Sequence, residues 1–207
     1  MSDSQLVGLA KDFFQNSLDS SPTSAIMRGH KKYFDQIEEL TEEQFQKEKD
    51  IVDTFIKRLN AIEKDNLTSR EKVTHGMLEF ALSSNKDSLL DRSWEFGAGV
   101  AGFTGFLIDY NQQMFVPDSE SADMMLKRLE LYKRLYTQIA DVQKLGLNNN
   151  RVATERNLLR TIDQLENYLA SSLDQDPLLL VNFSPEISDS EISEWKDKAK
   201  KIIEVNI

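Results

Sequence analysis

The chain has 207 residues, 40% of them apolar and 29% charged, with eight glycines, four prolines and no cysteine. That is enough apolar surface for a buried core, and it excludes collagen-like, low-complexity and disulfide-framed architectures, thiolate metal sites and a cysteine nucleophile. Thirty-five acidic residues against 25 basic ones leave a net charge of −10, which repels phosphate backbones and anionic lipid surfaces, so nucleic acid is not an expected partner.

The chain opens Met-Ser-Asp-Ser-Gln-Leu, without a basic stretch leading into an apolar one. No apolar run approaches the roughly 20 residues of a membrane span, so a cytoplasmic location without a membrane span is expected. Leu6, Leu9, Ala10, Phe13, Phe14 and Leu18 recur at helical spacing and predict a first helix over 4–18. Ser21 is expected to cap a short second helix with Pro22 in its first position, and Gly29 to end it in a left-handed conformation.

From 41 to 65, Phe45, Val52, Phe55, Ile56, Leu59 and Ile62 form an apolar stripe between charged residues, and Thr41 with Gln44 marks the start of that helix. The same signature at Thr68 and Glu71 opens a helix to about Asp91. So short a link predicts that the two pack antiparallel. Residues 92–117 break the periodicity, gathering Gly97, Gly99, Gly102 and Gly105 among Trp94, Phe96, Phe103, Phe106, Tyr110 and Phe115. An irregular segment of that length is expected to serve a function or to dock on something.

A further helix is expected over 120–145 with Gly146 as its stop, and another over 151–173 after the turn residues Asn148, Asn149 and Asn150. Pro177 and Pro185 bracket a linker, and Ser188 with Glu191 opens the last helix, whose end carries Ile202, Ile203, Val205 and Ile207. Together these signals predict an all-α bundle of about six or seven helices in one domain over 1–207, built on two antiparallel long-helix pairs.

The residues that could carry chemistry are few. Gly97 to Gly102 matches G-x-G-x-x-G, but a dinucleotide site needs a buried strand before the motif and a helix after it, and neither flank fits. The expectation is a glycine and aromatic loop that passes close to another backbone or a ligand. His75 stands between Glu71 and Glu79 at four-residue spacing. Zinc peptidase helices need two histidines one turn apart, so a solvated stripe with a surface histidine is expected instead of a metal site. His30 has no triad partner at a diagnostic spacing, and Met124 and Met125 read as core filler.

The run Ser21-Pro22-Thr23, then Gly29-His30-Lys31-Lys32-Tyr33-Phe34-Asp35, the capped helix at Thr41, and Leu67-Thr68-Ser69-Arg70-Glu71 resemble the opening of the domain of unknown function 885 family. Met124 to Leu129, Gly146 and Arg151-Val152 resemble its next segment. The resemblance implies helical relatives of the gluzincin zinc peptidases, longer than this chain, with a His-Glu-x-x-His helix in their C-terminal half. No His-Glu dipeptide occurs here, so no catalytic residue, metal ligand or cofactor is carried over. Gly29, Tyr33 and Asp35 are the structural positions it points to.

The function expected from this is a non-catalytic helical module forming one wall of a peptidase-like cleft. Trp94, Gly97, Gly99, Gly102, Phe103 and Tyr110 would be the candidate cleft or partner surface. The alternative is a self-contained interaction module. A missing C-terminal domain, or a homodimer through the Ile202–Ile207 stripe, are the expected partners.

Overall fold

Side chains that satisfy free backbone N–H groups decide where most of the helices begin. The computed structural model describes residues 2–96 and 110–207. Among them are eight α-helices and two short strands, so the architecture is predominantly all-α. These residues group into two compact units, Met1–Ser20 with Leu40–Trp94, and Ser21–Glu39 with Glu95–Ile207.

The first unit contains α1 (Ser2–Asp19), α3 (Glu42–Asn60) and α4 (Ser69–Leu90). Thr41 accepts from the Gln44 N–H at the start of α3, and Thr68 and Glu71 cap each other reciprocally at the start of α4. Ion pairs run Glu42 to Arg92, Asp53 to Lys86 and Lys64 to Glu79, in opposite order along the two helices, so α3 and α4 are antiparallel as the short link predicts. Leu6 and Leu9 of α1, Val52, Phe55 and Leu59 of α3, and Leu78 and Leu82 of α4 make the core, closed by Ile62 and Leu67 from the link. The Phe13 ring meets Phe55 edge-on at 5.7 Å.

The second unit contains α2 (Pro22–Met27), α5 (Ser119–Glu130), α6 (Tyr132–Asn148), α7 (Glu155–Ala170) and α8 (Asp189–Asn206). Gly29 takes φ +84° after α2, the left-handed stop expected of it. Two short strands, β1 (Phe115–Val116) and β2 (Asn182–Phe183), pair in parallel, with the Asn182 N–H donating to the Met114 carbonyl at 3.0 Å. The sequence reading has no strand here, because two residues are too few to display alternation.

The expected helix over 120–145 is two helices, divided at Leu131, whose N–H turns to the Arg128 carbonyl three residues back. The buried stripe Ala122, Met125, Leu129, Tyr132, Leu135, Ile139 and Val142 runs through the break unbroken, so periodicity cannot reveal it. Gly146 is no stop: α6 continues to Asn148, and Asn150 supplies the left-handed residue at φ +55°. α7 begins four residues later than expected and is not the second half of a close hairpin. The helix that packs most closely on α5 is α8, where Trp195 donates its indole N–H to the Ala122 carbonyl at 2.8 Å and meets the Phe183 ring edge-on.

Candidate functional site

In the second unit the site grows from a charged residue buried in the core. Arg128 of α5 is fully buried. Its guanidinium donates to the Gln36 carbonyl and, at 2.5 Å, to the Thr23 hydroxyl, and lies 3.9 Å from Glu38. Glu38 in turn accepts from the Thr23 hydroxyl at 2.7 Å and the Thr23 N–H at 2.9 Å. The carboxylate thus caps α2 from 15 residues away, where Ser21 was expected to do so. Ser21 bonds instead to Ser24 Oγ at 2.9 Å. A buried pair of this kind is a latch: removing one partner strands the other charge, at a cost of about 3–5 kcal/mol.

One turn along, Tyr132 is fully buried and donates to Asn111 Oδ1 at 3.3 Å. Asn111 reaches the Leu178 carbonyl at 3.4 Å. Tyr168 of α7 donates to Asp176 at 2.8 Å, and Asp176 also accepts the Leu178 N–H at 2.8 Å. Burial pushes the phenols of Tyr132, Tyr136 and Tyr168 above their ordinary value, and the hydrogen bond to Asp176 adds to the rise at Tyr168. The phenols of Tyr132 and Tyr168 serve as hydrogen-bond donors. The Tyr136 hydroxyl is buried and has no acceptor among the described residues.

Tyr136 and Tyr168 also line a groove of about 660 Å³ between α6, α7 and the end of α8, floored by Leu165, Leu169, Val205 and Ile207. The C-terminal stripe is therefore divided. Ile203 packs into the core, Val205 is exposed, and Ile207 joins Val205 on the groove wall.

Glu95 anchors another part of this unit. Its carboxylate is buried and accepts from Arg151 at 3.0 Å and Asn149 at 3.4 Å. Its carbonyl lies so near Gly146 that a Cβ there would stand 2.6 Å from it and 2.7 Å from the Arg151 carbonyl. Close approach, and not helix termination, is why position 146 is glycine. Tyr33 is buried beneath the Lys32 ammonium, 4.6 Å from its ring centre, and Asp35 is half-buried.

Of the expected cleft surface, Trp94 belongs to the first unit and Tyr110 to the second, while Gly97, Gly99, Gly102 and Phe103 lie outside the described residues. Trp94 stacks on Phe45 at 4.1 Å, with the Arg92 guanidinium 4.4 Å from its ring centre. Its indole N–H is buried without an acceptor among the described residues.

In the same unit His75 departs from expectation. It is 2% exposed, because positions 75, 78 and 82 share the inward face of α4. Its Nδ1 is 4.0 Å from Glu79, and Glu79 itself is held by Lys64. Among the described residues no three histidine, aspartate or glutamate side chains gather closely enough to hold a metal ion, and no helix is long and apolar enough to cross a membrane.

Spacing pointed to none of Glu38, Arg128, Asn111 and Asp176, since each acts on a residue distant in the chain or on a backbone group. The one available signal was a lone arginine, Arg128, inside the otherwise apolar stripe of α5. A family model described as "Bacterial protein of unknown function (DUF885)" matches residues 22–207. No curated protein and no solved structure matches the chain.

Proposed function

The chain belongs to the DUF885 family, and from that premise we propose that it is a helical module forming one wall of a polypeptide-binding cleft, without catalytic groups of its own. The observation that carries this reading is the groove between α6, α7 and α8. It combines an apolar floor of Leu165, Leu169, Val205 and Ile207 with the neutral phenols of Tyr136 and Tyr168. Apolar side chains of a bound segment would fill the floor and pack against the Tyr136 and Tyr168 side chains that line it. The rest of the polar network is already occupied in joining α2, α5 and the Asp176 turn, which makes the wall rigid. Lys133 and Lys144 on the rim are balanced by Asp141 and Glu204, and Lys144 pairs with Asp141 at 3.2 Å, so the apolar floor and not charge would select the segment.

The test is to incubate the purified chain with zinc and a fluorogenic peptide library, and in parallel to follow binding of amphipathic peptides by anisotropy. The expected result is no hydrolysis, and binding that Leu165→Asp abolishes. Zinc-dependent hydrolysis by the 207-residue chain, or binding indifferent to Leu165→Asp, overturns the reading.

A further inference from the structure

The polar network that stiffens the groove wall reaches α7 at one point. Tyr168 donates to Asp176 at 2.8 Å, and among the described residues no other side chain of α7 hydrogen-bonds or ion-pairs with another element. The Thr161 hydroxyl turns back to its own helix, to the Asn157 carbonyl at 2.9 Å.

Apolar contact is as thin. Of the 16 residues of α7 only Thr161 is buried, Leu158 and Tyr168 are half-buried, and Leu165 is 37% exposed. At 100° per residue these four fall within an arc of about 80°, a narrow footing for a whole helix. The shorter α5 buries Ser121, Ala122, Met125, Arg128 and Leu129. Nor is α7 held at its ends. Thr154 makes no side-chain cap where α8 has the reciprocal pair Ser188 and Glu191, the acid Glu155 in the first turn is offset by Arg156, and no base stands in the last turn. A helix of this length draws its stability from packing more than from itself.

We infer that α7 is the moving wall of the groove, a strap that opens from α6 and α8 and is held shut by the Tyr168 to Asp176 bond. The use of such a strap rests on the cleft-wall reading; its opening does not. Leu165 and Leu169 ride on α7, while Tyr136 belongs to α6 and Val205 and Ile207 to α8. Opening therefore divides the apolar floor, and a segment laid against α6 and α8 would be covered as α7 closes. Residues 151–154 before the helix and the extended Ser171 after it are where the backbone takes up the movement. Detached and uncapped, α7 does not keep its backbone bonds, so its opening registers as amide exchange.

Hydrogen exchange of the free full chain, read by mass spectrometry, tests this without any peptide. A failure of the cleft-wall reading thus leaves the strap standing, and a failure of the strap leaves the groove in place. Amides of Glu155–Ala170 should exchange at least about 100-fold faster than those of Ser119–Glu130 and Tyr132–Asn148. Tyr168→Phe should speed exchange in α7 by about tenfold and leave α5 and α6 unchanged. Exchange in α7 as slow as in α5, a Tyr168→Phe variant whose α7 exchanges no faster, or one that speeds all three helices alike overturns the inference.

Discussion

Asp118 does two things at once. One carboxylate oxygen accepts the Ser121 N–H at 2.9 Å and caps α5, while the other pairs with Lys31, 87 residues earlier. The Lys31 hydrogen bond first, and the bonds from Ser121 next, hold its carboxyl down from the ordinary 3.8 to about 2. A depressed acid stabilises the fold above its ordinary value, and that contribution is lost as pH falls from about 4 towards 2. Carboxyl-detected NMR titration should place its midpoint near 2. In Lys31→Ala the midpoint should rise but stay below 3.8, because the helix N-terminus remains. A wild-type midpoint at the ordinary value would count against the pairing.

At this scale the sequence shows the acid at a helix start and hides its partner. Local hydrogen bonds leave a spacing signature, but a bond spanning 87 residues leaves none. Glu38 and Arg128 are hidden for the same reason, and His75 is buried although its charged neighbours at i−4 and i+4 look like a wet face, because only Glu79 of the two is fully turned to solvent.

Among the helices, two glycines of the same type call for opposite outcomes. Gly76 lies within α4 with open space where a Cβ would be, so Gly76→Ala should stabilise by about 0.5–1 kcal/mol through helix propensity. Gly146 lies within α6, where a Cβ would collide with two backbone carbonyls. Gly146→Ala should therefore lose more than the same propensity gains, a net destabilisation of about 1–3 kcal/mol. Urea unfolding of both variants checks the sign at each position, and a gain at 146 would contradict the close approach of Glu95. Helix starts were the most legible feature of all, since Thr68 with Glu71 and Ser188 with Glu191 form the reciprocal caps their spacing predicts. Ends were less legible because the glycine at 146 answers to a distant carbonyl.

For the molecule as a whole, the chain passes between the two units three times, at Ser20, Glu39 and Trp94. Each unit has its own buried residues, so a cavity in one core should register there first. Leu82→Ala, at a position 1% exposed, should cost about 2–5 kcal/mol. Hydrogen exchange read by mass spectrometry should show protection lost in Met1–Ser20 and Leu40–Trp94, and retained in Ser21–Glu39 and Glu95–Ile207. Equal loss everywhere would mean the two cores unfold as one. Periodicity shows which residues are apolar on a helix but not which helix they meet. That is why the α3 and α4 hairpin could be read from its short link, and the packing of α5 on α8 could not.

The Arg128 latch also sets an order in time. Its partners Gln36 and Thr23 precede it by 92 and 105 residues, so on the ribosome they leave the exit tunnel long before the guanidinium exists. At typical elongation rates that interval is roughly 5–20 s. Throughout it the Glu38 carboxylate has no buried cation to meet, and the segment from Ser21 to Glu39 waits in water for α5 to be made.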